Sequence, residues 1–149
     1  MIGDSLFKCY RLVIPSIALV FLLISVLAAE SDNYTVKIAH EKFLGNYLVN
    51  QSGFTLYYFQ NDSKTSGTNA CYNECAILWP PFHVSRLFLP DDLKLIDFGE
   101  ITRKDGSKQT TFKSWPLYLY SRDSEPGDAL GKGKEFWHIV IPEDQPQMI

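Results

Sequence analysis

The chain has 149 residues, 46% of them hydrophobic, and a formal net charge of −3. That length suits one ordinary domain and is short for two. An acidic balance without long runs of like charge disfavours nonspecific nucleic-acid binding, which needs a basic stripe, and reads as solubility.

Residues 1–29 read as a targeting segment. Lys8 and Arg11 form a positive n-region, Leu12 to Ala29 carry no charge, and Val26-Leu27-Ala28 closes the run with a small-residue cleavage pattern. The 18 uncharged residues also reach the length of a membrane span, so an uncleaved N-terminal anchor is the alternative to a signal peptide. Either way the rest, residues 30–149, is expected outside the membrane as a single domain, because Lys8 and Arg11 stay on the cytoplasmic side. Removing residues 1–29 leaves 12 basic and 16 acidic residues, a net charge of −4. Cys9 leaves with the signal.

Beyond Ser31 the pattern is strand-like. Tyr34 to Ile38 alternates apolar and polar residues, Gly45 breaks the chain, and Asn46 to Val49 follows. A Gln51-Ser52-Gly53 turn leads into Phe54 to Phe59. There Phe54, Leu56 and Tyr58 share one face, and Tyr57 and Phe59 share the other, which predicts an interior strand covered on both sides. One short helix is expected next, capped by Asn69, with Glu74 in its first turn and Pro80-Pro81 as its stop. The stretch from Phe82 to Asp97 is mixed. Asp105-Gly106 then predicts a two-residue hairpin between Ile101–Lys104 and Ser107–Phe112. Pro116 to Tyr120 is a further strand, Asp123 to Lys134 a loop, and Phe136 to Ile141 the last strand, closed by Pro142. The expected fold is a mainly β, small antiparallel sheet or sandwich-like domain with one short helix and two pseudo-equivalent halves.

The halves come from an internal repeat. Leu56-Tyr57-Tyr58-Phe59-Gln60-Asn61-Asp62 and Leu117-Tyr118-Leu119-Tyr120-Ser121-Arg122-Asp123 both read Leu-Tyr-x-aromatic-x-x-Asp. Tyr57 and Phe59, like Tyr118 and Tyr120, fall on one face of a strand. Asp62 and Asp123 favour a turn in which the carboxylate bonds nearby amides. Two core strands ending in turns is one reading, and a ligand groove lined by the four aromatics is the other.

These residues, together with Cys71-x-x-x-Cys75-x-x-x-Trp79-Pro80-Pro81, Arg103-x-Asp105-Gly106-x-x-Gln109 and Trp137-His138, resemble the predicted secreted lipoproteins defined by a repeated Tyr-x-(Phe/Trp/Tyr)-x-x-Asp motif, the secreted repeat of unknown function. The resemblance spans about residues 36–142. It implies a surface protein without an established activity. No lipobox cysteine follows the apolar run, so lipid anchoring is not implied here.

Cys71 and Cys75 are an even pair in an exported domain, as one disulfide requires. Both would share one face of a regular helix with poorly aimed Cβ vectors, so a bridge needs Cys71 at or before the helix start. The alternative is an extracytoplasmic metal or redox protein in which Cys71, Cys75 and a histidine, His83 or His138 (with His40 a third candidate), hold copper or zinc. That set resembles the ligands of Sco-type copper chaperones, whose alternating helices and strands this chain lacks. His138 otherwise reads as a hydrogen-bonded residue on the strand face opposite Trp137 and Ile139. Asn33, Asn50 and Asn61 open Asn-x-Ser/Thr sequons and are glycosylation candidates. No Gly-x-Ser-x-Gly, His-Glu-x-x-His or phosphate-cradling glycine loop is present, so no catalytic residue and no resident cofactor is expected. The reading is a non-catalytic secreted or cell-surface module whose partner is a protein or an envelope component.

Overall fold

The computed structural model describes residues 33–62 and 70–143, all within one unit, Asn33–Ile149. The targeting segment, the Asn69 cap and the C-terminal tail lie outside the described residues. Among the described residues, seven strands, β1 (Val36–Glu41), β2 (Gly45–Asn50), β3 (Tyr57–Phe59), β4 (Phe98–Thr102), β5 (Lys108–Phe112), β6 (Trp115–Pro116) and β7 (Trp137–Ile139), accompany one short helix, α1 (Glu74–Leu78). All pairings are antiparallel, in three small sheets: β1-β2, β3-β7 and β4-β5-β6.

The strand predicted over Phe54 to Phe59 shortens to Tyr57–Phe59, with Phe54 half-buried outside both cores, but from Leu56 onward the segment has the two covered faces its apolar pattern predicts. Leu56 and Tyr58 point into a core with Val36, Leu48, Phe112, Trp115 and Leu117. Tyr57 joins the opposite core with Tyr47, Trp79, Tyr118, Tyr120 and Trp137, and Phe59 packs at its margin.

The two halves repeat the same backbone wiring. Leu56 N donates to Leu48 O, Leu48 N to Val140 O, and Val140 N back to Leu56 O. In the second half Leu117 N donates to Thr110 O, Thr110 N to Phe82 O, and Phe82 N to Leu117 O. Each is a closed ring of three extended segments, in which every donor finds an acceptor although no flat sheet could join all three. Tyr57 and Tyr118 lie between the rings and exchange both backbone hydrogen bonds with each other, at 2.9 Å. This pair marks a pseudo-two-fold axis. Around it the halves are interleaved. The segment before Val140 pairs with β3 of the first half, and the segment before Phe82 pairs with residues 118–121 of the second, as Gln60 N→Phe136 O and Ser121 N→Leu78 O show.

Several local expectations change. The Asp105-Gly106 turn is a three-residue loop, Lys104 to Gly106: Arg103 O accepts from Gly106 N, Arg103 N donates to Ser107 O, and Gly106 takes φ +85°. A left-handed glycine in third position closes a type I turn with a bulge, so the register moves by one residue from a two-residue hairpin. Pro116 to Tyr120 forms no single ladder, because the prolines at 80, 81 and 116 lack the N–H that continuous pairing needs. Only Trp115–Pro116 pairs regularly, and Tyr118 makes isolated bridges to Tyr57 and Pro81. The last strand shortens to Trp137–Ile139. Helix α1 starts after Asn73, whose φ of 53° turns the chain, and no side chain caps it. The mixed stretch is irregular, with one 3-10 turn at Leu95–Asp97.

Candidate functional site

The repeat motif builds a buried centre in which each half completes the other. Tyr57 Oη donates to Asp123 Oδ2 at 2.8 Å, and Tyr118 Oη donates to Asp62 Oδ2 at 2.7 Å. The tyrosine of one repeat is thus bonded to the aspartate of the other. The second carboxylate oxygens accept from backbone amides, Ala70 N on Asp62 and Leu130 N on Asp123. The aspartates therefore do more than end a strand. Asp62 N and Asp123 N close tight turns on Phe59 O and Tyr120 O, while their side chains reach well beyond those turns.

Burial sets the electrostatics. Desolvation pushes both aspartates above the usual carboxylate range, against the lowering effect of the hydrogen bonds each accepts. Desolvation, then the charge and hydrogen bond of the facing aspartate, pushes both phenols far above the usual tyrosine value. Each pair therefore stays a phenol donating to a carboxyl group, and neither tyrosine can serve as a base near neutrality.

The two pairs differ in their backing. Arg103, 2% exposed, donates to Gln109 Oε1 at 2.8 Å and to Cys71 O at 2.6 Å, and lies over the Tyr72 ring. Gln109 in turn donates to Leu117 O. The guanidinium lowers Asp62 somewhat. Behind Asp123 stands Asp128 instead, which raises it, and Gly131 N approaches the Tyr57 phenol at 3.3 Å.

Rings fill the space between the pairs. Trp79 and Trp137 stack at 3.8 Å with planes 4° apart, Tyr120 covers the outer face of Trp79 at 4.2 Å, and Phe59 covers Trp137 at 4.5 Å. Tyr57 meets Trp79 edge-on at 5.3 Å, and Tyr118 meets Trp137 edge-on at 5.0 Å. Tyr57 and Tyr118 are fully buried and Tyr120 nearly so. Of the four motif aromatics, Tyr57, Tyr118 and Tyr120 are sealed inside and line no open groove, while Phe59 is half-buried at the margin of the stack. The stacked tryptophans were not singled out from sequence as a pair. The available signal is a second, weaker repeat, Trp79-x-x-Phe82 against Trp137-x-x-Val140, downstream of the two aspartates.

Cys71 and Cys75 are joined in a disulfide, with Cα atoms 5.2 Å apart. Cys71 precedes α1 and Cys75 lies in its first turn, the placement a bridge at this spacing needs. As a disulfide the pair offers no thiolate. His83 instead pairs with Glu100 at 3.1 Å, and His138 stacks on Tyr58 and bonds Gln60 Oε1 at 3.1 Å. His40 bonds Asn46. Desolvation holds His138 below the usual histidine value. The structure does not assemble Cys71, Cys75, His83 and His138, and among the described residues no group of three or more His, Cys, Asp or Glu is placed to hold a metal.

The sequon asparagines Asn33 and Asn61 are exposed. Asn50 is half-buried, its side-chain oxygen accepting from Ser52 N and Phe54 N. A separate surface cleft of about 530 Å³ lies over Ile38, Leu93 and Phe112, with Lys94, Asp97 and Glu143 at its margin. Lys113 and Ser114 close the β5–β6 turn beside it with φ of 47° and 72°, a geometry usually given to Asn-Gly.

Among the described residues no helix is long and apolar enough to cross a membrane. No curated protein and no solved structure matches the chain. A family described as a secreted repeat of unknown function matches it twice, over residues 40–83 and 99–141, so that each match carries one tyrosine, one aspartate and one stacked tryptophan of the buried centre. The two matches cover more than half of the chain, which belongs to that family of secreted repeats.

Proposed function

We propose that this protein is a non-catalytic module of the cell surface or secreted space, exported by residues 1–29, that holds a protein or envelope component from its outer face. The observation that carries this reading is the use of the motif itself. Its tyrosines, aspartates and second aromatics are bonded or stacked to one another inside the domain, which leaves the repeat as architecture and the surface as the place for function. The disulfide and the exposed sequon residues Asn33 and Asn61 suit an oxidising compartment. The mixed-charge cleft beside Lys113 has a volume within the roughly 300–1,000 Å³ range of ligand sites and offers a seat for a polar group with an apolar body.

The test applies the mature protein to isolated envelopes of its source cell and measures saturable retention, with Lys94→Glu as the cleft variant. Saturable retention weakened by Lys94→Glu supports both the envelope role and the cleft. Retention indifferent to that change moves the binding face elsewhere, and recovery of all protein in the supernatant overturns the envelope role.

A further inference from the structure

We infer that each repeat carries a self-complementary docking surface whose partner is another repeat of the same kind, and that the two halves hold each other through it without an unbroken chain across residues 84–97. The surface is the buried centre seen from one half: a tyrosine, a second aromatic, a tryptophan and an aspartate.

The contacts at the centre of the axis come in mirror pairs, while peripheral ones such as Thr55 Oγ1 on Asp128 O and Gly131 N on Tyr57 Oη belong to one side only. Tyr57 donates to Asp123 as Tyr118 donates to Asp62. Tyr57 and Tyr118 exchange backbone hydrogen bonds in both directions. Trp79 of the first repeat stacks on its counterpart Trp137 of the second. β3 pairs with the closing segment of the other repeat, as residues 118–121 pair with the closing segment of the first. Residue i contacting j while j contacts i is the signature of an isologous two-fold interface, here drawn inside one chain.

Neither half can close alone. Without its counterpart, Tyr57 would lose its carboxylate, Asp62 its phenol and Trp79 its stacking partner, and the amides of Leu48, Tyr57 and Gln60 would lose their acceptors. Leaving buried polar groups unpaired costs about 1–3 kcal/mol each, so a half on its own has no stable way to keep this arrangement. The tether between the halves, residues 84–97, contributes little to the axis. Its side chains Val84, Leu87 and Leu89 pack on the other core, Leu93 is buried in that core, and Phe88 is hydrogen-bonded to Thr35. Asp91 and Asp92 are exposed, and none of these residues touches the crossed pairs or the stacked tryptophans. The disulfide lies wholly within the first half, so no covalent bond but the tether joins the two.

The experiment places a site-specific protease sequence between Asp91 and Asp92 of the full chain, folds the protein intact, then cuts it. Expected is a 1:1 complex of the two fragments on gel filtration, with the near-ultraviolet circular dichroism of the stacked tryptophans retained. Its melting temperature should rise with protein concentration, which the uncut chain's should not. Mixing isotopically heavy and light cut samples after unfolding and refolding should give all four pairings of first and second halves. Two outcomes of the cut overturn the inference: fragments that separate as folded monomers, which would make the repeats independent, and loss of the tryptophan signal on cutting, which would make the unbroken chain through residues 84–97 necessary to the centre. Trp137→Ala in the cut protein should release the fragments; release that does not follow would mean that contacts other than the axis hold them.

Discussion

Gly131 lies so close to Trp79 that an added Cβ would stand 2.7 Å from its ring and 2.9 Å from the Tyr57 ring. The contact crosses the pseudo-two-fold axis, from the second repeat to the tryptophan of the first. Those rings cannot retreat, because Trp79 is already stacked on Trp137 and Tyr120 and Tyr57 is bonded to Asp123. Gly131→Ala should therefore destabilise the domain by about 1–3 kcal/mol, as overpacking of a filled core does. Gly106→Ala should cost less by overpacking, since its Cβ meets nothing within 4 Å and only its φ of +85° opposes the change. Urea unfolding of the two variants checks the order.

The crossed phenol–carboxylate pairs predict which substitutions couple. Tyr57→Phe leaves a buried carboxyl group without its donor and should cost about 1–3 kcal/mol, as should Tyr118→Phe. In double-mutant cycles Tyr57→Phe should couple to Asp123→Asn and be additive with Asp62→Asn, although Asp62 belongs to the same repeat as Tyr57. Coupling within a repeat and none between repeats would reverse the assignment.

The raised carboxyl pKa values fix a sign for pH. In the unfolded chain Asp62 and Asp123 titrate near about 3.9. In the native protein desolvation holds them higher, so between the two values the folded state binds more protons than the unfolded one. Stability from these groups is then greatest in acid and declines as pH rises through that window. The exposed carboxylates Glu100 and Asp105 and the half-buried Asp128 are shifted down, chiefly by hydrogen bonds from Lys108, Ser107 and Ser124, and act in the opposite sense, screened by solvent. The informative quantity is thus the difference between variants. Relative to Asp123→Asn, the parent protein should lose stability as pH is raised from about 4 towards neutrality. Parallel profiles for the two proteins would contradict the desolvation argument.

Much of this architecture is legible in the chain because it is local. The alternation of Leu56 to Phe59 announces two covered faces, the spacing of Cys71 and Cys75 says where a bridge would have to start relative to the helix, and His138 shows its exposed face by standing between Trp137 and Ile139. What the sequence hides is where distant side chains meet. Asp62 has a complete local role as a turn residue, and nothing nearby shows that its carboxylate belongs to Tyr118. Arg103 stands in sequence beside Asp105-Gly106, and nothing local shows that it is buried with its guanidinium on the carbonyl of Cys71, a segment far away along the chain, and on the side-chain amide of Gln109 across the hairpin. The repeat itself is visible. The exchange of closing segments is not, since either pairing, within a repeat or between repeats, satisfies the same pattern of residues.

The disulfide ties down a segment whose preceding residue, Ala70, holds one of the two crossed pairs. A bridge closing a loop this short should contribute roughly 2 kcal/mol through the unfolded chain, at the low end for disulfides. Reduction of the native protein should lower its stability by about that amount and leave the fold in place. The native-state effect is one-sided. Ala70 N donates to Asp62, and Cys71 O accepts from Arg103, so loosening this segment reaches the Tyr118–Asp62 pair and leaves Tyr57–Asp123, anchored by Leu130 N, untouched. Tyr118→Phe should therefore cost less in the reduced protein than in the oxidised one, while the cost of Tyr57→Phe should not change. Unfolding of both variants with and without reductant measures the two differences. Equal changes in both would show that the bridge acts only on the unfolded chain and does not help to set the buried centre.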